Sequence, residues 1–405
     1  MPKILLFWAV LATALQADGV AEKAQWQASV SWKCHVIDDS LQGADGVKLA
    51  DVDSDGRLDI ATGWEESGAV RIYFQPEPHE TKRRWPTLTL HGTPSVEDAA
   101  WVDVNADGQW ELLSCTEGQD QQLRLHSFAG NPRQPSAWQT QSIAQANQMT
   151  RWMFAQSLGS RQVVVGSKDP RGMLGLLTLG RADANDSFKL VPLTSAQWIM
   201  SIRAVDINDD GQLDIVYSDR KGTDSGIYAL LGSPNGHEDS GLEWRKVLLG
   251  CLGREVMFLD IESYTKHSAV SEIVAAVKTR DVFILRTDAS LDASGVGTWS
   301  ESTIRLDDRH VGTMKAVRFA DLDLDGSNEI VVTCEGATGD RSGVFYLRNE
   351  RSHWIARDIS GPAGIKFDRI EVLDLDADGD LDVLTCEERF AGRGLGVIWY
   401  ENPLR

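Results

Sequence analysis

The sequence is short of the residues that mark several common classes of protein. It contains 5 cysteines among 405 residues, which is too few for a disulfide scaffold, and the odd number leaves at least one thiol free. Its formal net charge of −20 disfavours nucleic-acid binding. It contains no G-x-S-x-G, H-E-x-x-H, glycine-rich phosphate loop or C-x-x-C-H motif, so these signatures of catalysis or haem attachment are missing.

The cysteines give little further guidance. Cys34 and Cys251 could form a bridge, although their spacing does not support one. Cys115, Cys334 and Cys386 follow three similar segments at nearly equivalent places, which indicates a repeated small buried residue.

Long apolar runs are also missing, apart from one at the N-terminus. This run extends from Ile4 to Leu15 after an early lysine, and small residues lie at Ala12, Ala14 and Ala17. The pattern is typical of a secretory signal peptide and is too short for a membrane span. We therefore expect residues 1–17 to be a signal peptide, residues 18–30 to be a polar lead-in with little structure, and the mature protein to be secreted or periplasmic.

Acidic residues, by contrast, are abundant and concentrated in five loops with the pattern D-x-[DN]-x-D-G-x-x-[DE]. The loops begin at Asp51, Asp103, Asp206, Asp321 and Asp374, and apolar segments of strand length flank each one. Oxygens at alternate positions suit Ca²⁺, which takes six to eight oxygen ligands, and the glycine at position six permits the positive φ of a sharp bend. An EF-hand would instead need flanking helices and a glutamate at position twelve. One Asp-Gly pair could be only a hairpin turn, but five copies of the same code favour calcium.

The predicted ligands are the side chains at positions one, three, five and nine of each loop and the carbonyl at position seven. In chain order they are Asp51, Asp53, Asp55, Arg57 and Asp59; Asp103, Asn105, Asp107, Gln109 and Glu111; Asp206, Asn208, Asp210, Gln212 and Asp214; Asp321, Asp323, Asp325, Ser327 and Glu329; and Asp374, Asp376, Asp378, Asp380 and Asp382. About five structural Ca²⁺ ions would offset roughly half of the net charge.

The spacing of the loops predicts seven repeated units of about 50 residues. Residues 153–168 and 258–278 fill the two long gaps between loops with units that have lost the motif. An aromatic residue also opens a short alternating strand in every unit: Trp32, Trp85, Trp138, Phe188, Trp244, Trp299 and Trp354. Four short strands in each repeat of this length are typical of β-propeller blades.

The two ends of the chain indicate how the ring closes. The last unit ends at Gly396–Pro403 without a fourth strand, whereas Trp32–Ile37 is an unpaired strand before the first unit. We therefore predict an all-β fold, a seven-bladed β-propeller of four-stranded antiparallel blades over residues 31–405. The N-terminal strand completes the last blade and leaves no open sheet edge.

The five loops and the ending GVIWYENP, Gly396–Pro403, resemble FG-GAP/VCBS repeats, the family that includes the integrin α-chain propeller and some secreted lectins. The resemblance covers nearly all of the mature chain and implies the propeller fold. It leaves the function open, since family members serve as adhesion heads, as lectins and as parts of polysaccharide-degrading enzymes.

Charged residues gather at the strand ends opposite the loops, around the mouth of the predicted central channel. They could be solvated residues and mutual ion pairs, or they could form a polar funnel for a polyhydroxylated ligand, with Trp64 and Phe390 as stacking platforms. The candidate ligand-binding residues are Lys48, Trp64, Glu65, Glu97, Asp98, Glu117, Arg151, Arg254, Lys315, Glu335, Lys366 and Glu387.

These observations favour a calcium-stabilised binding module for an extracellular glycan or protein. We expect it to be monomeric, with no nucleic-acid partner and no membrane span. The alternative is a polysaccharide lyase or hydrolase with its active site opposite the loops. Its candidate residues would be His91, His310 and the acid pairs Glu97–Asp98 and Glu387–Glu388, but no motif surrounds them, so the catalytic residues stay unassigned.

Overall fold

The computed structural model describes residues 21–159, 161–179, 188–232, 244–262, 272–287, 296–388 and 394–405. The predicted signal peptide, residues 1–17, and Phe390 lie outside the described residues. Regular structure in the described residues is almost entirely β-strand, and the helical elements are the short 3₁₀ helices Pro78–Glu80, Pro135–Ala137 and Ala144–Ala146. Across these residues we find no helix with the length and apolar character needed to cross a membrane.

Three strands precede the first blade: β1 (Ala21–Lys23), β2 (Gln25–Gln27) and β3 (Lys33–Asp38). Blade I contains β4 (Ala44–Ala50), β5 (Asp59–Trp64), β6 (Ala69–Tyr73) and β7 (Thr87–His91). Blade II contains β8 (Val96–Val102), β9 (Glu111–Thr116), β10 (Leu123–Phe128) and β11 (Trp138–Ser142). Blade III contains β12 (Arg151–Gly159), β13 (Gln162–Lys168), β14 (Met173–Leu179) and β15 (Phe188–Ser195). Blade IV contains β16 (Ile199–Val205), β17 (Asp214–Asp219), β18 (Gly226–Leu231) and β19 (Arg245–Gly250).

Blade V contains β20 (Val256–Glu262), β21 (Glu272–Val277), β22 (Asp281–Thr287) and β23 (Trp299–Arg305). Blade VI contains β24 (Thr313–Ala320), β25 (Glu329–Glu335), β26 (Val344–Glu350) and β27 (His353–Asp358). Blade VII contains β28 (Phe367–Leu373), β29 (Asp382–Glu387), β30 (Gly396–Glu401) and, as its outer strand, β3. These seven antiparallel sheets confirm the all-β, seven-bladed architecture.

The strand sequences follow from where each strand lies in its blade. In blade I every residue of the second strand, β5, is buried, as expected for a strand covered on both sides. The outer strand β7 alternates instead, with Leu88 and Leu90 buried and Thr87 exposed, because only one of its faces contacts another blade. Val70 of blade I and Leu112 of blade II belong to one apolar cluster, so the core lies between the blades and each blade depends on its neighbours.

The ring closes as the sequence predicts. Strand β3 pairs antiparallel with β30, with Cys34 opposite Tyr400 and Val36 opposite Ile398. Ile37 is buried in the same blade. One sheet therefore joins the two ends of the chain.

The lead-in is more ordered than the sequence predicts. Strand β1 adds in parallel to the outer strand β23 of blade V, and β2 adds in parallel to the outer strand β27 of blade VI. The indole of Trp26 stacks on the ring of His310, with centroids 5.1 Å apart. The chain thus covers two sheet edges before it enters blade VII, and the expectation of little structure for residues 18–30 was wrong for residues 21–27.

The sequence markers coincide with the blades. The seven aromatic markers lie at, or within two residues of, the first residue of the seven outer strands. Blades III and V, which lack the acidic motif, nevertheless have the usual four strands. The fold therefore does not depend on the acidic motif in every blade.

The cysteines are all free thiols. Cys34 lies in β3 of blade VII and Cys251 follows β19 of blade IV, so the bridge that could have linked them is not formed. Cys115, Cys334 and Cys386 are buried in the second strands of their blades, which confirms the repeated small buried residue.

The blade topology separates the connections into two groups. The loops between the first and second strands of the blades, which include the five acidic motifs, lie on one side of the ring, which we call the loop face. The connections between second and third strands, and those from one blade to the next, lie on the other side, which we call the channel-mouth face.

Candidate functional site

The five acidic loops share one backbone conformation. Position four has a positive φ in each loop, at Ser54, Ala106, Asp209, Leu324 and Ala377 (57° to 64°), and so does the glycine at position six (82° to 94°). Only glycine adopts this region without a steric penalty, which explains the glycine in the code. The left-handed residue at position four was not predicted, because serine, alanine, aspartate and leucine share no signal.

Two of the acidic positions hold the loop together through backbone hydrogen bonds. In the last loop Asp374 accepts the N–H groups of Asp378 (3.2 Å) and Gly379 (3.1 Å), and Asp382 accepts the N–H of Leu375 (3.0 Å). Position one and position nine accept the equivalent N–H groups in the other four loops. The N–H of position seven donates to the carboxylate of position five in all five. These acids therefore have a local structural role in addition to the predicted ligation.

In three loops, one carboxylate oxygen of the aspartate at position three has no hydrogen-bond partner. The Oδ1 atoms of Asp53, Asp323 and Asp376 are buried and have no hydrogen-bond partner. Their other oxygens contact cations: Arg133 Nε lies 2.6 Å from Asp53, Lys82 Nζ lies 2.8 Å from Asp376, and Arg348 pairs with Asp323. Buried oxygens without a partner are costly, and they are the atoms that a bound cation would satisfy.

The same loops bring further oxygens close to the unused one. Carboxylate oxygens of Asp374, Asp376 and Asp382 lie within 4.8 Å of one another, as do those of positions one, three and nine of the first loop and of positions one, three and five of the fourth. In blades II and IV position three is instead an asparagine, Asn105 or Asn208. Its side-chain amide donates to the position-five carboxylate, at 3.0 Å in blade II and 3.1 Å in blade IV. An all-oxygen set at this spacing fits a hard divalent cation such as Ca²⁺.

Burial perturbs the acids at position nine. Removal from water raises the pKa of Asp59, Glu111, Glu329 and Asp382 to about 7 and that of Asp214 to about 6. The neighbouring loop carboxylates act in the same direction, since like charges disfavour ionisation.

On the channel-mouth face, the inner strands carry ion pairs between blades. Asp98 is fully buried and lies 3.4 Å from Lys48 Nζ and 3.8 Å from Arg369, while it accepts the N–H of Ala155 at 3.0 Å. Burial, reinforced by the charge of Arg369, lowers the pKa of Lys48 to about 8. Lys48 and Asp98 are therefore engaged in joining blades I, II, III and VII.

Similar pairs continue around the ring. Asp260 of blade V accepts from Arg203 of blade IV at 3.1 Å and from Arg318 of blade VI at 3.2 Å, and Arg318 reaches Glu371 of blade VII at 2.8 Å. These inner-strand charges are mutual ion pairs, which was one of the two interpretations left open by the sequence.

Two of the predicted ligand-binding residues are corrected by their burial. Trp64 is 1% exposed and its indole N–H donates to the Tyr73 hydroxyl at 2.9 Å, so it presents no stacking surface. Glu387 is also 1% exposed and accepts the N–H groups of Ile365 (3.0 Å) and Leu395 (2.7 Å). Both residues stabilise the ends of second strands.

Several other candidates meet in an acidic cluster at the channel mouth. Carboxylate oxygens of Asp45, Glu65 and Glu97 lie within 4.8 Å of one another, and so do those of Asp45, Asp368 and Glu388. Burial and the surrounding carboxylates raise the pKa of Asp45 and Glu97 well above their usual values. Asp45 was missed by sequence reasoning because it lies within a strand and has no neighbouring acid in the chain.

Lysines border this cluster. Lys168 pairs with Glu117, Lys366 lies 2.5 Å from Glu388, and Lys315 lies 3.3 Å from Asp368. Of the other predicted residues, Arg254 lies over the Phe283 ring at 5.6 Å. Glu335 lies 3.6 Å from Lys278 and forms a backbone β-bridge with Lys366 at the border of the cluster.

A cavity of about 330 Å³ opens between blades III and IV on the same face. Its walls are Arg151, Lys168, Asp169, Gln197, Trp198, Lys221 and Gly222. The Trp198 indole holds two cations against it, Lys168 Nζ and the guanidinium carbon of Arg220, each 4.3 Å from a ring centroid. Of these residues the sequence pointed to Arg151 for binding, and Trp198 was missed because the search followed charge rather than aromatic residues between blades.

The catalytic candidates do not assemble. His91 ends the outer strand of blade I, His310 stacks on Trp26, Asp98 is bound to Lys48, and Glu387 is bound to backbone amides. Among the described residues we find none of these histidines beside either acid pair. The geometry therefore leaves the catalytic residues unassigned.

Comparison with known proteins supports the fold. An FG-GAP-like repeat model matches residues 42–114, which include blade I, the first strand of blade II, most of its second strand, and the acidic loops of both blades. A search of curated proteins finds no match to this sequence.

Among solved structures, Saccharomyces cerevisiae Sqt1 aligns over 93% of this chain and 99% of its own, with a TM-score of 0.55 and 11% identity. The β-propeller domain of Myceliophteria thermophila Cps50 (Swd1) aligns over 91% and 100%, with a TM-score of 0.54 and 11% identity. At such identity the likeness concerns the fold alone.

Proposed function

We propose that the protein is a secreted, calcium-stabilised β-propeller that binds an extracellular glycan bearing anionic groups on its channel-mouth face. The observation that carries the proposal is the cavity between blades III and IV, in which Arg151, Lys168 and Lys221 surround a tryptophan. Its volume of about 330 Å³ falls at the small end of typical ligand pockets. It is large enough to receive part of a sugar chain.

The chemistry of the cavity favours an anionic ligand. The side chain of Lys168 is held by Glu117 and by the Trp198 ring, and that of Lys221 by Glu255, so both cations are positioned before a ligand arrives. Arg151 is exposed at the start of β12, and a guanidinium can bind a carboxylate or sulfate through two parallel hydrogen bonds. Gln197 adds an amide that can bind hydroxyl groups.

Calcium in this proposal is structural. The position-three oxygens without partners and the triads of loop carboxylates support Ca²⁺ binding at the loop face, away from the cavity. Its role would be to satisfy those oxygens and remove the repulsion between the acids. Export is proposed on the N-terminal sequence pattern alone, and the mass of the mature N-terminus tests it.

The test of function is retention of the pure mature protein on a panel of acidic and neutral polysaccharides, with new reducing ends and unsaturated products monitored in the same samples. We expect retention on acidic members and no product. Arg151→Ala should weaken binding about tenfold, which corresponds to about 1.4 kcal/mol. Arg83→Ala is the matched control, because Arg83 is exposed on the loop face and its removal changes the net charge equally.

The outcomes separate the alternatives. Formation of product would replace the binding module with a polysaccharide lyase or hydrolase. Equal loss of binding in both arginine variants would indicate unspecific electrostatic attraction, and no retention on any polysaccharide would overturn the glycan proposal and favour a protein ligand.

A further inference from the structure

The residue that directly follows the second strand changes the sign of its charge around the channel mouth. In blades VII, I, II and III it is acidic: Glu388, Glu65, Glu117 and Asp169. In blades IV and V it is basic: Arg220 and Lys278. We call Arg220, Lys221 and Lys278 the basic side of the channel mouth.

The inner strands also lack carboxylates on the basic side. Their second residues are acidic in blades VII, I and II: Asp368, Asp45 and Glu97. In blades IV, V and VI the second residues are buried methionines: Met200, Met257 and Met314. A thioether cannot neutralise a cation, so the basic side has no acid at the position that supplies one elsewhere in the ring.

Arg220 is buried there without a counter-charge in contact. It is 6% exposed, and its Nε is buried without a hydrogen-bond partner. Among the described residues, no acceptor takes a hydrogen bond from its guanidinium and no carboxylate forms an ion pair with it. Its contact is with the Trp198 ring, 4.3 Å from the guanidinium carbon. Buried charges are normally paired, so the guanidinium has unused capacity for an anion.

The nearest acids are engaged with other cations. Glu255 pairs with Lys221, and Glu335 lies 3.6 Å from Lys278. Burial lowers the pKa of the Arg220 guanidinium, although the charges of Glu255 and Glu335 act against this. Three cations therefore share two acids, and positive charge remains in excess on the basic side.

The basic side is continuous with the cavity between blades III and IV. Trp198 lines that cavity and accepts, through its carbonyl oxygen, the N–H of Arg220 at 2.8 Å. Lys221 also lines the cavity. The pKa of Glu255 is lowered by its hydrogen bond from Lys221 and then by the charges of Arg220 and Lys278, so all three cations lie around this one carboxylate.

We propose that Arg220 and Lys278 bind a second acidic group of the ligand, beyond the group held in the cavity. The inference rests on the proposed function and narrows its ligand class to glycans with carboxylate or sulfate groups on at least two sugars. An arginine can bind such a group through parallel hydrogen bonds, and a lysine adds a point charge. The second acidic group would supply the counter-charge that Arg220 lacks in the free protein.

The test compares ligands of equal length and different charge by titration calorimetry at fixed ionic strength. One arm uses trimers of galacturonic acid with one or three free carboxylates, the others being methyl esters. The other arm uses trimers of galactose with one or three sulfates, so that the arms distinguish the two acidic groups. In at least one arm, wild type should bind the triply charged trimer about tenfold more tightly than the singly charged one.

Two variants locate the second group. Arg220→Met and Lys278→Ala should each abolish most of this preference and leave the affinity for the singly charged trimer unchanged within about twofold. The side chain of Lys278 is 35% exposed, so its removal should not disturb folding. Lys189→Ala is the control, because Lys189 is exposed on the outer strand of blade III and its loss changes the net charge equally.

The failures are distinguishable. Binding of the singly charged trimer with no preference for the triply charged one, or with the same preference in both variants, would overturn this inference and leave the proposed function standing. An equal loss in Lys189→Ala, or an equal loss of affinity for both trimers in Arg220→Met and Lys278→Ala, would also overturn it. No binding in either arm would overturn both proposals.

Thermal unfolding without ligand separates recognition from packing. Removal of a buried cation without a partner should leave the melting temperature of Arg220→Met equal to that of wild type or higher. A lower melting temperature with an unchanged preference would show that Arg220 only packs against Trp198, and would contradict the inference. If Arg220→Met does not fold, the preference measured in Lys278→Ala decides the question.

Discussion

The two faces of the ring are made by the same strands but assemble their acids differently. On the loop face each group of acids comes from nine consecutive residues, as in Asp374–Asp382, and the pattern recurs in five blades. On the channel-mouth face the acids that meet come from three blades and from distant parts of the chain, as Asp45 and Asp368 do. The cavity is lined by residues from blades III and IV and from the connections that follow their second strands and join the two blades.

The repeated loops and the cavity between blades III and IV therefore suit different roles. A loop that recurs with the same hydrogen bonds stabilises each blade by the same means, and blades III and V fold without it. A cavity that occurs at one boundary between blades can distinguish one ligand from another, because its residues are free to differ from those of the other blades.

The largest effect we expect is on the loop face. Excess chelator should lower the melting temperature by roughly 10 °C or more, since an ion present at one hundred times its Kd adds about 2.7 kcal/mol per site and five loops would share in the effect. The measurement is thermal unfolding followed by circular dichroism, with restoration by added Ca²⁺ as the control. An unchanged melting curve in excess chelator would contradict the proposal that calcium stabilises the loops.

The sequence predicts the ring well because its signals are local and repeated. The aromatic markers and the five loops recur at nearly constant spacing, and the unpaired strand at residues 32–37 completes blade VII as expected. Strands β1 and β2 were missed because three residues are too few to reveal an alternating pattern. Their parallel pairing with blades V and VI depends on the finished ring.

The candidate site was predictable only in part, for a similar reason. Lys82 and Arg133 reach the position-three acids of the preceding blade, and no short-range pattern connects residues so far apart. Trp64 was expected at the surface because charged residues follow it, but its large apolar side chain is buried beside Tyr73. Trp198 contributes to a cavity only because blades III and IV are neighbours.

The second prediction tests whether the inner charges of the channel-mouth face are structural. Asp98→Asn should lower the free energy of unfolding by about 3 kcal/mol, because it leaves Lys48 and Arg369 without their buried counter-charge. Urea unfolding measures the loss, and Asp340→Asn, at an exposed position of the same face, is the control.

A further variant sharpens this test. Adding Lys48→Met to Asp98→Asn should recover part of the lost stability, because a buried cation without a partner is then removed. If Asp98→Asn is as stable as Asp340→Asn, the buried ion pairs of Asp98 with Lys48 and Arg369 do not stabilise the fold.

The smallest effect concerns a group that lies inside blade II and belongs to neither face. His126 is fully buried between the hydroxyls of Ser114 (2.9 Å) and Thr140 (2.8 Å), and burial lowers its pKa to about 4 from an ordinary 6.5. Between pH 6.5 and pH 4 the imidazole of His126 is therefore protonated in the unfolded chain but neutral in the folded protein. Its contribution to the free energy of unfolding is complete above pH 6.5 and is lost as the pH falls towards 4. Between pH 7.5 and pH 5 the loss should be about 2 kcal/mol, measured as the change in the difference between wild type and His126→Gln in urea unfolding. A difference that stays constant with pH would mean that His126 titrates normally, and that the pH dependence of the protein comes from its two acidic faces.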